Sequence, residues 1–194
     1  MMNLTQLIHK WQSGDKFSEE KLFSVTYEQF RRIAKESIQK QKSLGVQPKN
    51  IEEIIHSTTS LVHDAYIKIS SAQTVDLKNS REFYMLVATT MRHILVDFFR
   101  KQNSKKRDVD AVDNKEIKNI PYSHELEDYL TLDKAIENLL DSFPRPAEIL
   151  QLKYFFGFQN KEIADVLNIS ESTVDKDLKF ARGWIKLHIE KGKY

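Results

Sequence analysis

The 194-residue chain contains no cysteine, which excludes disulfide bonds, thiolate metal sites and thiol nucleophiles and is typical of a reducing cytoplasm. Only five glycines and four prolines are present, and no alternating strand pattern or Asn-Gly turn signal stands out. No apolar run approaches the roughly 20 residues that span a bilayer, and the N-terminus lacks the apolar core of a signal peptide. The sequence therefore predicts an all-α cytoplasmic protein with no membrane contact.

Recognisable catalytic motifs are also missing. The six histidines are scattered, and none has the His-Glu-x-x-His spacing of a zinc enzyme. The glycines form no phosphate-binding loop. We predict that the chain is not an enzyme and that it needs no metal or cofactor. A nucleic-acid enzyme of the transposase kind is an alternative, but it would need clustered carboxylates for metal, which the sequence does not show.

The net charge of +2 hides a difference between the two ends of the chain. Residues 1–125 hold 20 Lys and Arg against 16 Asp and Glu, a net charge of +4, whereas residues 126–194 hold 10 against 12, a net charge of −2. Neutralisation of phosphates supplies most non-specific affinity for DNA. An acidic C-terminal part is therefore expected to bind DNA weakly by itself and to need help from another protein.

The most informative stretch is residues 160–178, NKEIADVLNISESTVDKDL, which predicts helix, tight turn, helix. Ile163 and Val174 mark the buried faces of the two helices. Asn168 is at the turn, where a left-handed backbone is needed, and Ser170 can cap the second helix. Such a helix-turn-helix presents its second helix to the DNA major groove, although a plain helical hairpin has the same pattern.

Amphipathic helices account for most of the remaining chain. Ser18 is expected to cap a helix that follows Gly14, and Asn79 or Ser80 is expected to cap a long helix with its apolar residues between 83 and 98. From about residue 105 to 125 the sequence is polar with few apolar anchors, which predicts a flexible linker between an N-terminal and a C-terminal helical domain.

Three stretches, in this order, resemble sigma-70-type initiation factors of the extracytoplasmic-function (ECF) group. Residues 61–69, LVHDAYIKI, resemble the polymerase-binding helix of that family. Residues 83–100 resemble its promoter −10 helix, most closely at MRHILVD over residues 91–97. Residues 152–158, LKYFFGF, together with the helix-turn-helix, resemble the module that reads the −35 element.

The resemblance implies a sigma2-like domain over residues 1–104, a linker over 105–125 and a sigma4-like domain over 126–194. It also implies a role for each motif. The first helix would bind the polymerase clamp, with Asp64 as its main charged contact, although Asp64 and Lys68 also have the spacing of an ordinary surface pair. The polymerase-binding residues implied are Leu61, His63, Asp64 and Lys68.

The −10 helix and the loop before it would hold the melted non-template strand, through basic groups on phosphates and hydrogen bonds to a flipped base. Asp97 could orient Arg100 or Arg92, or could cap local structure. The loop could equally be a plain surface loop. The −10 residues implied are Ser71, Gln73, Thr74, Asp76, Asn79, Arg81, Arg92, His93, Arg100 and Lys101.

The recognition helix departs from the family pattern after Thr173-Val174, where Asp175-Lys176-Asp177 replaces a basic cluster. Two carboxylates near phosphates repel them, so weak −35 recognition is expected, with either an unusual element or a DNA-bound recruiting partner to compensate. The −35 residues implied are Lys161, Glu171, Ser172, Thr173, Lys176, Lys179 and Arg182.

As a whole, the resemblance implies a sigma factor that binds core RNA polymerase at the beta-prime clamp and the beta flap, directs it to promoters and helps to melt the −10 region. Its partners would be the polymerase, promoter DNA in double-stranded and melted form, and an anti-sigma factor if the chain has one. The alternative is a stand-alone helix-turn-helix regulator, which would bind DNA as a dimer without polymerase.

Overall fold

The computed structural model describes residues 4–24, 26–28, 31, 62–71, 75–112 and 122–191, and every regular element among them is helical. This confirms the all-α prediction. In chain order the elements are α1 (Leu4–Gln12), α2 (16–24 and 26–28), α3 (62–71), α4 (Ser80–Val112), α5 (Tyr122–Ser142), α6 (Pro144–Gln151), a π-helical turn (Leu152–Phe156), α7 (Asn160–Leu167) and α8 (Glu171–Lys191).

The junction of α1 and α2 corrects one expectation. Gly14 takes a φ of +93°, which ends α1, and the Asp15 carboxylate then accepts a hydrogen bond of 2.9 Å from the Ser18 backbone N–H. Asp15 is therefore the residue that caps α2, and the prediction that Ser18 does so is wrong. A cap accepts from an N–H two or three residues further on, so the cap precedes the buried Ser18. Hydrogen bonds from Ser18 lower the pKa of Asp15.

The start of α4 agrees with prediction. The Asn79 side-chain oxygen accepts a 3.0 Å hydrogen bond from the Glu82 backbone N–H, and the Glu82 carboxylate accepts one of 2.8 Å from the Lys78 backbone N–H. These two bonds satisfy backbone donors in the first helical turn, which would otherwise lack partners. Asn79 is thus the cap of the long helix.

Both ends of the expected linker are helical. Residues 105–112 continue α4, and residues 122–125 belong to α5, while residues 113–121 lie outside the described part of the chain. Residues 101–112 contain neither glycine nor proline and are rich in lysine, arginine and other residues compatible with a helix. The polar composition predicted a flexible linker here, but the helix propensity of these residues continues α4 instead.

A shared apolar core joins the N-terminal and C-terminal helices. One cluster extends from Ile8 in α1 through Val87 and Met91 in α4 to Ile163 and Leu178 in the helix-turn-helix. A second cluster packs α5 and α6 against the later part of α8. Its buried members are Ala135, Ile136, Leu139, Ala147, Leu150, Ala181 and Ile185.

The long helix α4 forms the seam between the two halves. The π-helical turn ends at Gly157, whose φ is +86°. Phe156 in the turn and Phe158 just after it pack against Tyr84 of α4, with ring centroids 5.0 and 4.9 Å from that of Tyr84. Burial raises the pKa of the Tyr84 phenol. In this structure the two predicted domains are packed together; their division at residues 104 and 126 stays a prediction.

Candidate promoter interface

The helix-turn-helix forms as the sequence predicts. Ile163 on α7 and Val174 on α8 are fully buried against each other's helices. Asn168 ends α7 with a φ of +53°, in the left-handed region. The Ser170 hydroxyl then accepts a 3.1 Å hydrogen bond from the Thr173 backbone N–H and caps α8. Each of these contacts follows from the residue type at that position.

The outward face of α8 is formed by Ser172, Lys176 and Lys179, which are exposed and lie opposite Val174 and Leu178. Neither lysine makes an ion pair with any residue in the described ranges. Because a recognition helix meets DNA with the side opposite its buried face, these three residues have the placement that DNA contact requires.

The remaining predicted −35 residues lie around that face. Lys161 is exposed in the first turn of α7, and Glu171 is exposed at the start of α8. Thr173 is half-buried, and its hydroxyl is 2.8 Å from that of Ser170, so it belongs to the cap. Arg182 is exposed and donates a 3.2 Å hydrogen bond to the Leu178 carbonyl, one turn back along the same helix.

Two of the acidic residues of α8, Asp175 and Asp177, lie at its edges. Asp177 accepts hydrogen bonds of 2.7 and 3.4 Å from the Arg145 guanidinium in the first turn of α6, and this contact raises the pKa of Arg145. Asp175 accepts a 2.6 Å hydrogen bond from the Asn160 side-chain amide at the start of α7. Sequence reasoning missed Arg145 and Asn160, since no local spacing links them to residues 32 and 15 positions away.

On α4, the predicted −10 residue Arg92 lies inside the seam. Its side chain is 4% exposed and faces α5, where Nη1 is 3.4 Å from an Asp133 carboxylate oxygen and Nη2 is 3.8 Å from the Glu137 carboxylate. The helical period puts Arg92 on the same face as the buried Ala88 and Leu95. In this packed arrangement Arg92 is therefore covered, and its role as a −10 contact stays a prediction.

Two further side chains of α4 reach α6 across the seam. Arg81, also a predicted −10 residue, donates a 2.5 Å hydrogen bond from Nη2 to the Glu148 carboxylate. Thr89 donates one of 3.2 Å to the side-chain oxygen of the fully buried Gln151. Polar contacts therefore run along most of the seam beside the aromatic cluster.

The outer side of α4 carries the other predicted cations. His93 is exposed, and its ring nitrogen Nε2 is 3.2 Å from Arg92 Nη2. Asp97 lies 3.6 Å from Arg100 and 3.3 Å from Lys68 of α3, within ion-pair distance of both; its role in orienting Arg100 stays a prediction. The backbone of Lys101, the last predicted cation, belongs to α4, but its side chain is outside the described part.

The loop before α4 is described only in part. Asp76 is exposed, while the side chain of Asn79 is held in the helix cap by Glu82. The Ser71 hydroxyl donates a 2.7 Å hydrogen bond to the Ile67 carbonyl, at the end of α3. The other two predicted base contacts lie outside the described residues, namely Gln73 and Thr74.

The family model for ECF sigma factors matches residues 1–191, which is almost the entire chain. The chain belongs to the ECF sigma factor family. No curated protein and no solved structure matches it. Members of this family are transcription factors rather than enzymes, and membership supports a role in transcription initiation with binding to RNA polymerase and to promoter DNA.

The helix predicted to bind polymerase is α3. Its buried face consists of Val62, Ala65 and Ile69, which turns His63 outward and leaves Asp64 half-buried. The outward strip also contains two apolar side chains that sequence reasoning did not assign to it. Tyr66 is 38% exposed and Ile67 is 49% exposed. The remaining predicted contact in this helix lies outside the described residues, namely Leu61.

Two other features of the ECF sigma factor concern metal and membrane. Within the described ranges, no group of three or more His, Asp or Glu side chains could hold a metal ion. The helices in those ranges are also too short or too polar to cross a bilayer.

Proposed function

We propose that this ECF sigma factor binds core RNA polymerase through α3, directs it to promoters through α8, and helps to melt the −10 region with α4. Residues 1–104 would act at the beta-prime clamp and the −10 element. Residues 126–194 would act at the beta flap and the −35 region. Two separate footholds on polymerase would raise the effective concentration of each weak DNA contact.

The observation that carries the proposal is the unpaired basic face of the helix-turn-helix in a chain that matches the family over residues 1–191. Ser172, Lys176 and Lys179 point away from the core with no competing acidic partner among the described residues. A face of this kind supplies phosphate and base contacts without the loss of any intramolecular ion pair. Residues 126–194 nevertheless have a net charge of −2, so most of the affinity for the promoter would come from polymerase.

DNA contact by α4 requires the seam to open, because Arg81 and Arg92 are engaged by Glu148 and Asp133 in the packed arrangement. The seam is imperfectly satisfied. Two buried polar atoms in it, Arg92 Nε and Gln151 Nε2, have no hydrogen-bond partner among the described residues, and each such atom costs about 1 to 3 kcal/mol. These atoms gain water when the halves separate, which lowers the cost of opening.

Run-off transcription with core polymerase on genomic fragments, followed by mapping of start sites, tests the proposal. The expected result is initiation that depends on the chain, from start sites that share an upstream sequence. The stand-alone regulator makes the opposite prediction. A chain with no affinity for core polymerase that bound duplex operators as a symmetric dimer would overturn the proposal.

Substitution of Asp64 by Arg tests the polymerase contact by itself. We expect weaker binding to core polymerase with an unchanged thermal unfolding midpoint, because Asp64 lies beside the exposed strip of α3 and not in its buried face. Asp141→Arg makes the same change of charge on an exposed residue of α5 and should leave polymerase binding as it is. Equal binding by wild type and Asp64→Arg would remove this residue from the interface.

A further inference from the structure

Three contacts hold the recognition helix α8 at its two edges. At one edge, the Asp177 carboxylate is paired with Arg145 of α6 at 2.7 Å, and the Phe180 ring packs edge-to-face on Phe143 with centroids 4.9 Å apart. At the other edge, Asp175 accepts a 2.6 Å hydrogen bond from an Asn160 amide N–H. Neither carboxylate is directed at the outward face, although the sequence places them on either side of Lys176.

We propose that Arg145 and Asp177 are positioning residues for −35 recognition, which hold α8 at the rotation that turns Ser172, Lys176 and Lys179 toward the DNA. This inference rests on the proposed function of α8. It reverses the expected effect of Asp177, because an acid that fixes the helix supports DNA binding, whereas a free acid at the same place would oppose it through repulsion of phosphates.

The geometry shows how a contact outside the DNA face affects that face. Arg145 follows Pro144, which is at the first position of α6 and has its backbone φ fixed by the proline ring. The guanidinium therefore projects from a rigid start of a helix. The fork of Arg145 meets both oxygens of Asp177, with Nε at 2.7 Å and Nη2 at 3.4 Å, and a two-point contact restricts rotation more than a single bond does.

The test uses the opposite charges of the two partners. Arg145→Gln removes a positive charge and Asp177→Asn removes a negative one, so electrostatic effects on DNA have opposite signs. A shared positioning role predicts the same sign for both. Each single variant should weaken binding of the holoenzyme to the −35 region about threefold, and the double variant should be no weaker than either single variant. The probe is a promoter fragment whose start site has been mapped with wild-type holoenzyme.

Salt dependence and thermal stability distinguish a positioning role from a direct phosphate contact and from a role in folding alone. The slope of log K against log salt should be unchanged in Asp177→Asn, because no phosphate contact is lost. Both single variants should lower the unfolding midpoint by only about 2 °C, so that they are fully folded at about 25 °C. Asp165→Asn, which removes an exposed acid from α7, is the matched control and should not weaken binding.

Tighter DNA binding by Asp177→Asn would overturn the proposal in favour of repulsion. A lower unfolding midpoint with unchanged DNA binding would also overturn it, since the pair would then serve the fold alone. Failure of the proposed function would look different, because wild-type holoenzyme would then give no initiation at all. The coupling of the two variants in thermal unfolding would still report whether the pair forms.

Discussion

The predicted DNA-binding cations differ in their ion pairing between the two helices that bear them, α4 and α8. On α4 the three arginines whose side chains are described all have acidic partners: Arg81 pairs with Glu148, Arg92 with Asp133, and Arg100 with Asp97. On α8 the outward lysines Lys176 and Lys179 pair with no acid in the described ranges, while Asp175 and Asp177 are engaged at the edges of the helix. The arginine charges of α4 are thus paired with acids of the protein, whereas the lysine charges on the outward face of α8 are not.

The choice of residue agrees with this difference. A guanidinium is a planar fork that suits fixed pairing with carboxylates, whereas an ammonium is a strongly hydrated point charge on a flexible stem. Arginines in α4 therefore contribute to the packing of the two halves as well as to any later DNA contact. Lys176 and Lys179 in α8 are exposed, so they contribute little to folding and are available for phosphates from the start. Loss of a cation should accordingly affect stability on α4 and DNA binding on α8.

Removal of the buried arginine is expected to have the largest effect. Arg92→Met keeps most of the volume but leaves Asp133, whose side chain is only 13% exposed, without its partner. Removal of one member of a buried ion pair strands the other, and we expect a loss of about 3 kcal/mol in the free energy of unfolding. Urea denaturation at neutral pH measures this loss. Arg100→Met is the control on the exposed side of α4 and should change stability by less than about 1 kcal/mol.

A second variant shows whether the stranded acid is the cause. Arg92→Met combined with Asp133→Asn removes both charges, and it should recover a large part of the lost stability, since the penalty comes from an unpaired buried carboxylate. If the double variant were as unstable as Arg92→Met, the defect would come from lost packing and not from charge. The assignment of Arg92 as one half of a stabilising buried ion pair would then fail.

The lysines should show the reverse behaviour. Lys176→Ala with Lys179→Ala should leave the unfolding free energy and the binding to core polymerase almost unchanged, because both side chains are exposed. Upstream DNA contact should weaken, and if two phosphate contacts are lost, the slope of log K against log salt should fall by about 1.8. Binding of holoenzyme to promoter fragments over a range of salt measures the slope. An unchanged slope would show that these lysines do not touch phosphates.

The contrast also shows what the sequence could predict. Features fixed by near neighbours were correct: the turn at Asn168, the caps at Asn79 and Ser170, and the buried and outward faces of α8 all follow from residue type and helical period. The cap of α2 was misassigned by three residues, because Asp15 and Ser18 are both good caps and sequence alone offered no reason to prefer the earlier one.

Features that depend on distant partners were not predictable. Arg92 lies on a helix among other basic residues, and only the approach of α5 shows that it faces Asp133, 41 positions away. The same holds for Arg145 and Asp177, whose pairing changes the interpretation of an acidic recognition helix. The linker was predicted from polarity, and its first part, residues 105–112, is helical because no glycine or proline interrupts it. Sequence period gives the face of a helix but not the neighbour that covers it.

The exposed pair on α4 should give a smaller effect than the buried one. Arg81 is about half exposed and Glu148 is 20% exposed, so water screens their interaction. Arg81→Gln should lower the free energy of unfolding by no more than about 1 kcal/mol. Glu148→Gln should have an effect of the same size, and the double variant should equal either single one. Additive losses in the double variant would show that the two residues do not act as a pair.

Glu19 on α2 is an acid whose charge, like the charges of the α4 arginines, is held by partners within the protein. Glu19 accepts hydrogen bonds from Lys16, Ser70 and Tyr66, at 2.9, 3.1 and 3.3 Å, and the bond from Lys16 is the main reason why the pKa of Glu19 lies below its ordinary value of 4.5. A carboxyl with a lowered native pKa binds fewer protons when folded. Its contribution to stability is therefore complete above pH 4.5 and is lost as the pH falls from there through the folded pKa.

Substitution of Glu19 should have the smallest effect on the free energy of unfolding, and that effect should depend on pH. The difference in unfolding free energy between wild type and Glu19→Gln should shrink as the pH falls below 4.5, because protonation removes the same charge from the wild type. Urea denaturation at a series of pH values measures that difference. A constant difference would show that these partners do not stabilise the carboxylate. Glu20→Gln, at the exposed neighbouring position, is the matched control, and its difference from wild type should vary less with pH.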